Sequence, residues 1–107
     1  MVKSTKDNTQ DYRRLYDALL SLKTRKECKA FLEDICTIKE IDSLAQRLDV
    51  AVMLEDEKTY LEIAADTGAS TATISRVNRA LQYGSDGYNT VLKRISGKKK
   101  NSKGTKK

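Results

Sequence analysis

Leu61-Glu62-Ile63-Ala64-Ala65-Asp66-Thr67-Gly68-Ala69-Ser70-Thr71-Ala72-Thr73-Ile74-Ser75-Arg76 holds two short apolar-periodic segments on either side of one glycine. Upstream, Thr59 and Glu62 stand three apart, so hydroxyl and carboxylate can each satisfy an unpaired N–H of a helix start. The spacing predicts a helix over 60–67. Gly68 then ends it, since glycine takes the left-handed conformation of a helix C-terminus without a Cβ penalty. Ser70 or Thr71 can cap a second helix reaching about Leu81, with Ile74, Val77 and Leu81 inward at i, i+3 and i+7. Two helices joined by so short a turn read as a helix-turn-helix over about 60–81. Ala64 is small where the helices pass closest, and Ile63, Ile74 and Val77 fill the core between them.

That geometry leaves Ser70, Thr71, Ala72, Thr73, Ser75, Arg76 and Arg79 on the outward side of the second helix. Hydroxyls can bond to base edges or phosphates, Ala72 can touch a thymine methyl, and arginine can grip guanine with two hydrogen bonds. Ser and Thr are mediocre helix formers, and an ordinary structural helix would carry more Glu and Lys outside. The run therefore points to duplex DNA. Glu62 and Asp66, on the first helix, would be repelled by phosphate if they faced it.

Outward from this pair, the chain reads as helix throughout. No proline occurs anywhere and all five glycines fall at or after Gly68, so the first 67 residues lack both strong helix breakers. Tyr12, Leu15, Tyr16, Leu19 and Leu20 form one apolar stripe of a helix over about 9–22. Thr24 with Glu27 opens a helix over 25–36, with Cys28, Phe31, Leu32 and Ile35 on its apolar side. Thr37 with Glu40 opens another over 38–55, with Ile41, Leu44, Ala45, Leu48 and Val52 as its stripe. Asp56-Glu57-Lys58 is a polar turn. Gly84 and Gly87 bracket the last break, before a helix over 87–96 with Tyr88, Val91, Leu92 and Ile95 aligned. The expectation is an all-α domain of six helices over 9–96, preceded by a flexible segment, 1–8.

The net charge of +6 resides at one end. Residues 93–107 carry eight basic groups and no acid, whereas 1–92 hold 13 basic against 15 acidic residues, a net of −2. Residues 97–107 lack apolar side chains and are expected to be a disordered basic tail that attracts polyanions through counterion release. With 107 residues, one domain is expected. No apolar run approaches the ~18 residues that span a bilayer, and no signal peptide opens the chain, so a cytoplasmic protein is expected.

The chain lacks His and has two Cys, which removes the commonest general base and any zinc ligand set. No enzyme, metal or cofactor is expected. Cys28 and Cys36 lie about 12 Å apart on one helix, too far for a disulfide, and are expected as reduced thiols. Glu33-Asp34 and Glu55-Asp56-Glu57 read as solvated faces and a turn, because adjacent helical residues do not converge. Tyr83 and Tyr88 are expected to pack against the glycine-containing loop.

Residues 61–76, together with Ala45-Gln46-Arg47-Leu48-Asp49-Val50, resemble the Trp repressor family, and most of all its YerC/YecD-type branch in Gram-positive bacteria. The resemblance covers about residues 9–96 and is most specific from Gly68 to Arg76. It implies six helices per subunit and an intertwined homodimer whose first three helices and last helix weave into the partner. The family's tryptophan corepressor sits between two arginines, to which Arg47 and Arg76 correspond, Arg47 only with one residue deleted before Thr59. Two other pocket positions depart. Val77 stands where the tryptophan-binding members have glycine, and Ala80 where they have the serine that helps hold the ligand's amine. No tryptophan binding is expected, and Arg47 and Arg76 are expected to pair with acidic groups or DNA phosphate; a different small effector stays open.

The function expected from residues and resemblance together is a dimeric, sequence-specific DNA-binding transcriptional regulator of bacteria, a repressor in kind. Two other classes compete with it: an RNA-binding protein using the basic tail, and a protein-interaction module that kept the fold without DNA binding.

Overall fold

A computed structural model describes residues 11–103, with side chains from 11 to 96. Among these residues there are six helices and no strand: α1 (Arg13–Ser21), α2 (Arg25–Ile35), α3 (Ile38–Glu55), α4 (Tyr60–Thr67), α5 (Thr71–Tyr83) and α6 (Gly87–Lys103). The expected boundaries hold closely from α2 to α5, where the helix starts are set by local chemistry, whereas α1, expected from about 9, begins at Arg13 with no side-chain cap. Glu27 N–H donates to the Thr24 hydroxyl at 3.0 Å, and Glu40 N–H to the Thr37 hydroxyl at 3.1 Å. The Glu40 carboxylate returns to Thr37 N–H at 2.8 Å, whereas that of Glu27 reaches one residue further back, to Lys23 N–H at 2.7 Å.

The end of α6 differs from expectation. It continues seven residues beyond Ser96 to Lys103, taking up most of the segment expected to be disordered from 97 on. Lys98, Lys99 and Lys100 are good helix formers, and Gly97 alone does not outweigh them. Residues 104–107 and the expected flexible segment 1–8 lie outside the described residues.

The chain divides into two compact units, Met1–Ile41 and Asp42–Lys107. In the first, α1 and α2 bury no residue, although both are strongly amphipathic. The stripe of α1 stays exposed among the described residues, with Leu15 at 41% and Leu19 at 45%. Cys28 and Cys36 are both half-buried.

The second unit holds the core: Val50, Ala51, Ile63, Ala69, Ile74, Val77 and Leu92, with Leu54, Tyr60, Leu81 and Tyr88 packed around it. Here the stripe predicted for α3 needs correction. Leu44, Ala45 and Val52 are exposed, and the core takes Val50 and Ala51 from another side of the helix. Helix α3 is apolar on two sides, and periodicity cannot tell which one the chain's own core will use.

Candidate nucleic-acid interface

Helices α4 and α5 form the helix-turn-helix, and its parts sit where chemistry requires. Thr59 and Glu62 make the full reciprocal cap of α4: Glu62 N–H donates to the Thr59 hydroxyl at 3.1 Å and Thr59 N–H to the Glu62 carboxylate at 2.9 Å. Gly68 closes α4 in the left-handed region, at φ +76°, with its N–H on Ala64 carbonyl. The Thr67 hydroxyl braces the turn twice, donating to Ile63 carbonyl at 2.7 Å and accepting Ala69 N–H at 3.1 Å. From α3, the Gln46 amide donates to Thr67 carbonyl at 3.1 Å.

The caps have an electrostatic consequence. The Thr59 N–H holds the Glu62 carboxyl below the usual carboxylate range, aided by the Thr59 hydroxyl and Lys58 and opposed by partial shielding from water. A lowered folded value means that the contribution is complete above the unfolded value and is lost as pH falls through the folded one. Melting temperatures measured from about pH 6 down to about pH 2 are therefore expected to show wild type losing its small advantage over Glu62→Gln on the acid side.

Ser70 caps α5, its hydroxyl accepting Thr73 N–H at 3.1 Å and donating to the Thr73 hydroxyl at 3.2 Å. Ile63, Ile74 and Val77 are buried as predicted, while Ala64 is half-buried and Gly68 is exposed. Ala69, in the turn, is buried too, a position that sequence reasoning missed because a lone alanine beside glycine carries no periodic signal.

Of the residues expected outside, Ser70, Thr71, Ala72, Ser75, Arg76 and Arg79 are exposed. Thr73 departs: it is half-buried and turned toward the cap, a correction to its place on the outward face. Tyr83 is a second correction. Expected to pack against the loop, it is 81% exposed, and Tyr88 alone of the two joins the core. The reason is register: Tyr83 lies opposite the Ile74, Val77 and Leu81 side of α5, whereas Tyr88 begins the apolar side of α6.

Helix α5 contains no Asp or Glu, and its first turn has no acid, unlike the first turns of α2, α3 and α4. The positive end of its dipole is therefore free of side-chain compensation. Arg47 and Arg76 are both exposed, and the expected pairing with acidic groups is not seen, because the one ion pair among the described residues joins Lys29 to Glu33. No group of residues able to hold a metal occurs among the described residues, nor any helix long and apolar enough to cross a membrane.

The described residues form an all-α helix-turn-helix protein whose second helix presents hydroxyls and arginines. Residues 10–96 match the Trp repressor protein family, and the chain belongs to that family. It is 57% identical over 81 residues to YerC, an uncharacterized protein of Bacillus subtilis (strain 168), covering 76% of this chain and 78% of that one. Among solved structures, a TrpR-like protein from Eubacterium eligens superposes with a TM-score of 0.80 at 56% identity, over 86% of this chain and 95% of its own. A candidate Trp repressor from Staphylococcus aureus gives 0.79 at 46% identity, over 90% and 96%.

Proposed function

We propose that the chain is a sequence-specific DNA-binding transcriptional regulator of the bacterial cytoplasm, acting as a homodimer that sets α5 in the major groove of each half-site. The observation that carries this is the solvent side of α5: small and hydroxyl residues first, arginines further along, and no acid on the helix. An uncompensated helix N-terminus favours phosphate, and short side chains let the backbone approach base edges. Membership of the Trp repressor family supports the same reading.

The homodimer is supported by what the chain leaves uncovered. The apolar stripe of α1 and the second apolar side of α3, with Leu44 and Val52, are the kind of surface a second copy would bury. A two-fold dimer would read a roughly palindromic site with half-sites about one helical turn apart. Lysines beyond residue 93 would add salt-dependent, sequence-independent affinity.

Tryptophan has no place in this scheme. Val77 is 2% exposed and packed into the core, so its side chain is an internal contact between the paired helices. Ala80 has no hydroxyl to offer an ammonium group. Duplex binding would therefore need no tryptophan.

The test compares wild type with Ser75→Ala/Arg76→Ala on a duplex selected by the protein from a random pool and on random duplex. Affinity for the selected duplex is expected to fall by about 10- to 100-fold, the scale of one forked guanine contact, with a much smaller loss on random duplex. Equal losses on both would reduce α5 to a phosphate binder. If wild type bound no duplex in a salt-sensitive way, a protein-interaction module would take the place of this reading.

A further inference from the structure

Ala72, Arg76, Arg79 and Tyr83 stand at i, i+4, i+7 and i+11 of α5, which a 3.6-residue turn brings nearly into one line. All four are exposed, and the line runs opposite the buried Ile74, Val77 and Leu81 side. Tyr83 ends it, with a whole aromatic ring in solvent on a helix end that is firmly held. Gly84 N–H donates to Ala80 carbonyl at 2.9 Å, and the Asn89 amide donates to Leu81 carbonyl at 3.1 Å. The turn is close-packed there: a Cβ on Gly84 would lie 2.5 Å from the Ala80 carbonyl oxygen. A side chain presented from so fixed a backbone gives up side-chain freedom on making a contact but little backbone freedom.

We infer that Tyr83 is a DNA-backbone contact, its ring against deoxyribose and its hydroxyl donating to a phosphate, at the far end of the face that α5 presents. The inference rests on the reading of α5 proposed above. Length decides between base and backbone. From Ala72 to Tyr83 the helix advances about 16 Å at ~1.5 Å per residue, more than the ~12 Å width of the major groove. With Ala72 against base edges, Tyr83 therefore overshoots the groove and meets its phosphate wall. Arg79, one turn before Tyr83, is the cation of α5 nearest that end and works against the negative pole of the helix and Asp86 in the following turn, and a phosphate oxygen there would give the phenol hydroxyl a suitable acceptor.

A neutral contact of this kind has a signature. Tyr83 displaces no counterion, so removing it lowers affinity without changing the salt dependence, whereas removing an arginine–phosphate contact lowers the slope of log K against log salt by about 0.9. Binding is measured by fluorescence anisotropy on the selected duplex and on random duplex across a salt series, for Tyr83→Ala, Tyr83→Phe and Arg79→Gln. Tyr83→Ala is expected to weaken both duplexes by a similar factor, about three- to tenfold for one lost sugar-phosphate contact, with the wild-type slope and melting temperature. Tyr83→Phe should lose less, and Arg79→Gln should lose slope. Wild-type affinity for Tyr83→Ala on both duplexes would overturn the assignment while leaving α5 as the reading helix. If wild type selected and bound no duplex, the function and this contact would fall together.

Discussion

Replacing Ile74 with Ala is expected to remove about 2–5 kcal/mol of folding stability, the range for truncating a fully buried large aliphatic side chain. Ile74 is wholly buried, and it shares its core with Ile63 of α4, Val50 and Ala51 of α3, and Leu92 of α6. The cluster draws on four helices, of which α4 and α6 approach α5 most closely, and α4 and α5 are joined by a braced turn. Collapse around the gap would have to break the Thr59–Glu62 cap or the Thr67 bracing of the turn, so the cavity is expected to persist. Denaturant unfolding of wild type and variant measures the loss. Arg76→Ala, exposed on the same helix, is the contrasting case: it should change unfolding by no more than about 0.5 kcal/mol.

The second large effect is expected at the other end of the chain. A Leu15→Glu/Leu19→Glu protein should lose at least about 3 kcal/mol per protomer if α1 is covered by a second copy, because carboxylates would be buried without partners. In an isolated chain the same residues are half-exposed, and charges there would cost about 0.5 kcal/mol or less. Sedimentation equilibrium together with thermal melting separates the two outcomes. A variant that melts like wild type and sediments at the same mass would remove the proposed homodimer interface from α1.

Much of this architecture could be read from the residues, for a local reason. Helix limits follow from short-range chemistry: Thr37 with Glu40 and Thr59 with Glu62 fix the starts of α3 and α4, and Gly68 fixes the end of α4. Ile63, Ile74 and Val77 were legible as core because the short turn at Gly68 leaves the two helices only one way to face each other. What escaped depends on tertiary choice. Helix α3 offered two apolar sides, and only packing selects Val50 and Ala51 over Leu44 and Val52. Thr73 was expected outside from the geometry of the pair, yet it borders the buried side of α5 beside Ile74 and joins the Ser70 cap. Tyr83 was expected to pack because it flanks the glycine-containing loop, yet its register places it opposite the core.

Division of labour along α5 has a consequence for how such a protein can change. Ile74, Val77 and Leu81 face inward, while Ala72, Ser75, Arg76 and Arg79 touch nothing that the core depends on. Substitutions at those four exposed positions are expected to change stability by no more than about 0.5 kcal/mol, so, on the function proposed above, a lineage could drift from one operator to another through stable intermediates. Under that proposal, one scaffold could serve different target sequences without rebuilding its core.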